Sequence, residues 1–123
     1  MSDSSPTPEP RISVLPHPAE AERISVCIDG REVGHLLLYY MTNDQHSEPC
    51  TFCEDWFVEE QYRKQGIGEL LAREAIRKSR EHGCYKVIAN SRFGRDHVHR
   101  LLEACGYTKH GYEFRVDAGP AAP

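Results

Sequence analysis

The chain has no surplus of positive charge: 15 lysines and arginines stand against 19 aspartates and glutamates, for a formal net charge of −4. A nucleic-acid-binding module would normally show a basic excess or stripe, so no nucleic-acid partner is expected. Long apolar runs are also missing. No stretch approaches the roughly eighteen residues of a membrane span, and the amino terminus shows no basic-then-apolar leader. A cytoplasmic protein with no membrane partner is therefore expected. The five cysteines (Cys27, Cys50, Cys53, Cys84, Cys105) form an odd, scattered set that suits reduced thiols better than a disulfide framework. Cys50 and Cys53 make a Cys-x-x-Cys, yet a structural zinc needs two further ligands and no second pair with matching spacing exists. His97 and His99 are candidates by residue type alone, so two ordinary strand cysteines and no metal are expected.

Two phosphate loops are absent as well. A Walker loop needs Gly-x-x-x-x-Gly-Lys-Ser/Thr and a Rossmann turn needs Gly-x-Gly-x-x-Gly, and neither occurs. A chain of 123 residues makes one domain with a single core of modest size. Residues 1–10 and 117–123 are polar, proline-rich or small, and read as disordered tails around one domain over residues 11–116.

Inside that domain the apolar periodicity changes along the chain. Residues 11–15 suit a short strand broken by Pro16 and Pro18. Residues 24–28 and 33–41 flank Asp29-Gly30, a hairpin signal, and residues 50–58 follow a loop of turn formers as a third strand. From Gly66 the period becomes helical, with Ile67, Leu70, Leu71, Ala75 and Ile76 on one face, and Gly83 ends the helix. Residues 86–91 read as a strand reached by a parallel crossover. Asp96 is the expected cap of a second helix ended by Gly106, and residues 107–109 and 112–116 form an expected closing pair of strands.

The most informative stretch joins the third strand to the first helix: Val58-Glu59-Glu60-Gln61-Tyr62-Arg63-Lys64-Gln65-Gly66-Ile67-Gly68. Two glycines two apart let the backbone curl its N–H groups into one concavity, and a helix start adds unpaired donors and a partial positive charge. A phosphate group fits such a turn. With its Arg-x-x-Gly-Ile-Gly after Val-x-x-x-Tyr-Arg, the stretch resembles the pyrophosphate loop of the GNAT superfamily of acetyl-CoA-dependent N-acetyltransferases. The resemblance covers roughly residues 22–116. It implies an α+β fold with a mixed, mostly antiparallel sheet, splayed central parallel strands and two main helices. It also implies a departure, because the helices that usually wall the acceptor site have no room between Pro10 and Arg23. Either that wall is missing or a second subunit of a homodimer supplies it.

The resemblance further implies acetyl-CoA as co-substrate, its diphosphate on the amides of Lys64, Gln65, Gly66, Ile67 and Gly68. Its pantetheine arm would pair near Phe57 and Val58, with Arg63 assisting. The implied reaction is direct attack of a primary amine, from a small molecule or a peptide, on the thioester in a ternary complex. An ammonium of the lysine type titrates near about 10.4, so a base is needed at neutral pH. Glu54 is the first candidate, flanked by Phe52 and Trp56 and thus open to desolvation, while Asp55 points the other way with equal claim. Asn90 stands on the second splayed strand, able to hold water or substrate but not to take a proton. Aligned on Gly106-Tyr107, the family's acid tyrosine falls on Leu102 and its asparagine on Arg95. Water, His97, His99 or a tyrosine then remains to protonate the thiolate, whose ordinary pKa is about 8.5. That loss prompts the alternative of a non-catalytic acyl-CoA-binding or regulatory module.

Overall fold

A computed structural model describes residues 7–120, so the expected tails over 1–10 and 117–123 lie partly outside the described residues. Three antiparallel strands come first, β1 (Glu20–Ile28), β2 (Arg31–Met41) and β3 (Cys50–Val58). They are followed by a single 3-10 turn (Glu60–Tyr62), helix α1 (Ile67–Glu81), a short strand β4 (Val87–Ala89) and helix α2 (Asp96–Ala104). The sheet order is β1-β2-β3-β4, antiparallel up to β3 and parallel between β3 and β4. The hairpin between β1 and β2 closes on Asp29 and Gly30 at φ of +52° and +76°. Two consecutive positive φ values match the right-handed strand twist in a two-residue turn.

The core lies between one sheet face and α1. Val33, Leu36, Leu38, Tyr40 and Cys53 from the strands meet Ile67, Leu71 and Ala75 from the helix, with Ile24 and Val26 of β1 packed against them. Fully burying a side chain such as Leu38 contributes about 1.5–3 kcal/mol. Ala72, Leu102 and Cys105 join α1 to α2, and Trp56 and Ala89 touch both clusters. At the far end of α1, Ser79 is buried, donating to the Ala75 carbonyl at 2.6 Å and bonded to Thr51 Oγ1 at 2.6 Å. This satisfies both hydroxyls away from water.

Several expectations are corrected. Leu70 is exposed, and Ala72 and Ser79 take its place on the buried face of α1. Residues 11–15 form no strand. Neither do residues 107–109 and 112–116, so the parallel pair stands at the open edge of the sheet among the described residues. Arg95, not Asp96, is the residue before α2, and Asp96 begins its first turn. All five cysteines are free. Cys50 and Cys53 sit three residues apart on an extended strand, about 10 Å, which is beyond disulfide reach. No cluster of three metal-ligating side chains gathers among the described residues.

Candidate active site

The sheet opens where β3 passes beyond Cys53. β3 and β4 pair only at Thr51 with Val87, Phe52 with Ile88 and Cys53 with Ala89. On its other side β3 keeps contact with β2, but with a slip: Leu37 pairs with Glu54 and His35 with Phe57, so Leu36 faces both Asp55 and Trp56. Such a bulge bends its strand and re-aims side chains. Asp55 sits at φ +55°; a left-handed backbone costs an L-residue about 1–2 kcal/mol and is least unfavourable for aspartate and asparagine.

A crevice of about 70 Å³ opens beside the bulge, walled by Glu54, Asp55, Trp56, Asn90, Leu102 and Tyr107. Glu54 and Asn90, proposed from sequence on two splayed strands, are thus brought together at one opening. Both are exposed, so the expected desolvation of Glu54 by Phe52 and Trp56 is not realised. Glu54 follows buried Cys53 on the other side of the strand, and past the bulge Trp56 packs against the core. Trp56 Nε1 is buried with no acceptor among the described residues, leaving a donor on the crevice wall.

Of the residues considered for the acid step, His99 and Tyr107 are engaged elsewhere. Leu102 is buried core at the crevice floor. His97 is exposed, and His99 Nε2 donates to the Arg92 carbonyl at 3.0 Å. Tyr107 donates to the Ala72 carbonyl at 3.1 Å, and burial pushes its phenol well above the usual tyrosine range. Burial likewise pushes the Cys53 thiol up to about 12.

The strand-to-helix bend follows directly. Lys64 and Gly66 both take left-handed conformations, φ +63° and +84°. Gly66 precedes α1 without any side-chain cap, so the amides of the first turn have no partner from the helix and the positive end of its dipole is open. A Cβ on Gly66 would meet nothing within 4 Å, so its φ, not crowding, selects glycine there. Gly68 has another role: a Cβ there would lie 3.5 Å from Trp56 and 3.6 Å from Leu101, against the wall shared with β3 and α2. Ile67 points its side chain into the core and offers the bend only its amide. Arg63 turns back on the strand, donating from Nε to the Val58 carbonyl at 2.9 Å with its guanidinium 5.9 Å over the exposed Phe57 ring. Gln65 Nε2 donates to the Gln61 carbonyl at 3.2 Å, and Lys64 is exposed. The bend is therefore built from main chain, with side chains bracing it from outside.

Sequence reading missed three contributors. Gly34 lets α1 approach the sheet, since a Cβ there would stand 3.0 Å from Ile67 Cγ2 and 3.2 Å from the Phe57 carbonyl oxygen. His35 Nε2 reaches Asp55 Oδ2 at 2.9 Å. Glu32 lies 3.9 Å from the other ring nitrogen of His35 and is itself held by Arg23 and Ser25. Only the polar pair Glu54-Asp55, interrupting strand alternation, hinted at a bulge.

This geometry can be set beside known proteins. The chain is 29% identical over 104 residues to an aminoglycoside N(6′)-acetyltransferase type 1 of Stenotrophomonas maltophilia, covering 80% of this chain and 68% of that one. It is 31% identical over 88 residues to a glucosamine 6-phosphate N-acetyltransferase of Trypanosoma brucei brucei, covering 72% of this chain and 46% of that protein. The crystal structure of a Trypanosoma brucei acetyltransferase superposes with a TM-score of 0.72 at 28% identity, covering 79% of this chain and 68% of that one. The family model for the GNAT acetyltransferases matches residues 3–107, most of the chain. The bend, the splayed strands and these matches lead to one conclusion: the chain belongs to the GNAT acetyltransferase family.

Proposed function

We propose that this GNAT-family N-acetyltransferase moves an acetyl group from acetyl-CoA to a primary amine, with both substrates bound together. The observation that carries this reading is the uncapped start of α1, with Lys64 and Gly66 in left-handed conformations, beside a crevice whose mouth bears Glu54, Asp55 and Asn90. The diphosphate of acetyl-CoA would rest on the amides of Lys64, Gln65, Gly66, Ile67 and Gly68, and its arm would lie along β3 near Phe57 and Val58, on the edge that β4 leaves unpaired beyond Cys53. Bound there, acetyl-CoA supplies an activated acyl carbon. Glu54 takes a proton from the bound ammonium, directly or through water, freeing the neutral amine to attack, and Asn90 holds that water or the amine. The C–N bond forms as the C–S bond breaks, and solvent returns a proton to the leaving thiolate, since Leu102 offers none.

The acceptor class follows from charge. Two adjacent carboxylates at the mouth favour an amine on a polycationic small molecule, such as an aminoglycoside, over one that also carries a phosphate. Release of CoA thiol from acetyl-CoA should therefore be fast with an aminoglycoside and slow with glucosamine 6-phosphate. Tight acetyl-CoA binding with no thiol release against either acceptor, or against peptide amines, would instead establish a binding module.

Two further features belong to this reading. Five unpaired cysteines suit the reducing cytoplasm. Tyr112, Phe114 and Val116 alternate along the chain and are each more than 80% exposed, a pattern that favours association of two copies through strand addition. Light scattering should give twice the chain's 14.0 kDa; a monomeric mass at micromolar concentration contradicts it.

A further inference from the structure

We propose that His35 is a positioning residue that latches Asp55 into the left-handed bulge of β3 and so fixes the shape of the reaction crevice. The proposal rests on the reading of that crevice as the acyl-transfer site. His35 lies on the sheet face opposite α1, paired across the ladder with Ser25, whose neighbours Ile24 and Val26 point into the core. Its side chain is only 13% exposed. From there Nε2 donates to the Asp55 carboxylate at 2.9 Å, and the ring tilts against Phe57 at 5.7 Å between centroids. The bond thus joins the centre of β2 to the one residue of β3 with a positive φ.

The surroundings hold the ring in place. Glu32 stands 3.9 Å from Nδ1 and is fixed in turn by Arg23 and Ser25 of β1, so the array runs Arg23, Glu32, His35, Asp55 across three strands. Leu36, next to His35, is the residue opposite the bulge and itself lines the crevice. A left-handed non-glycine residue persists only where its surroundings over-determine it. Here the hydrogen bond from His35 is the contact on the Asp55 side chain, and releasing it would let the bulge relax and move Glu54 and Trp56.

Glycine adopts positive φ without a side-chain anchor, and this supplies the test. His35→Leu, Asp55→Gly and the double variant are compared with the parent chain by acetyl-CoA turnover at saturating amine. Hydrogen exchange of the two bulge amides, at positions 55 and 56 in every variant, provides a second readout. His35→Leu should lower kcat about tenfold and raise exchange at the bulge by a similar factor, with KM for acetyl-CoA within about twofold. In the Asp55→Gly background the same substitution should change both readouts by less than about twofold. His35→Gln, which keeps an N–H donor of similar reach, should recover most of the loss. An equal effect of His35→Leu in both backgrounds would show a purely structural role and overturn the proposal, as would no effect in either. If the parent chain turns over no amine, the reading of the site fails, and the exchange data still decide whether the latch exists.

Discussion

Glu54 carries the most specific chemical assignment, and its setting defines what to expect of it. It is exposed beside Asp55 at the mouth of the crevice, with Asn90 across the gap between β3 and β4. An exposed carboxylate accepts a proton best through a water that Asn90 can help to hold. General-base assistance is worth about 10²–10⁴-fold. Glu54→Gln should therefore lower kcat by at least about 100-fold while leaving acetyl-CoA affinity unchanged by calorimetry, because nothing near Gly66 depends on that side chain. Unaltered turnover at neutral pH would remove Glu54 from the mechanism. Asn90→Ala, which takes away a hydrogen-bonding group but no proton acceptor, should cost less.

At the scale of elements, the contact between α1 and the sheet decides where the bend sits. Gly34 of β2 admits Ile67 so closely that even a methyl group would press on Ile67 Cγ2 at 3.0 Å and on the Phe57 carbonyl at 3.2 Å. Gly34→Val should destabilise the fold by about 1–3 kcal/mol, an overpacking cost, and weaken acetyl-CoA binding because the first turn of α1 is pushed off β3. Denaturant unfolding and calorimetry on one preparation would check both. Much of this layout was legible in the sequence. Asp29-Gly30 announced the hairpin, the change of period at Gly66 announced α1, and Lys64 to Gly68 announced the bend, because each signal is local. The bulge at Asp55 was hinted at only by the polar pair Glu54-Asp55, and the contact that Asp55 makes there is with His35, twenty residues away. Gly34 reads in sequence as an ordinary strand residue until α1 is laid across it. The expected closing strands did not form either: the alternation of Tyr112, Phe114 and Val116 is strand-like, but an alternating pattern does not by itself specify a pairing partner.

Across the whole molecule, the sheet has two different faces. One is covered by α1 and is apolar; the other carries the Arg23, Ser25, Glu32, His35 and Asp55 array. Hydrogen bonds from Arg23 and then Ser25 hold the Glu32 carboxyl down from 4.5 to about 2. Because the folded pKa is lowered, this stabilisation is complete above about 4.5 and is lost as pH falls toward 2. Glu32→Gln should flatten the fall in thermal stability over that window and leave the curve above pH 5 parallel to that of the parent chain. A parent-like acid limb in the variant would show that Glu32 is not coupled to folding. None of the helices among the described residues is long and apolar enough to cross a membrane.

The central claim concerns the bend between β3 and α1, where main-chain amides are proposed to grip a diphosphate. Titration of ¹⁵N-labelled protein with CoA, followed amide by amide, tests it directly. Resonances of Lys64, Gln65, Gly66, Ile67 and Gly68 should move together and saturate at the calorimetric Kd, and pantetheine, which lacks the diphosphate, should leave them in place. Saturable CoA binding with those five amides unmoved would contradict the account.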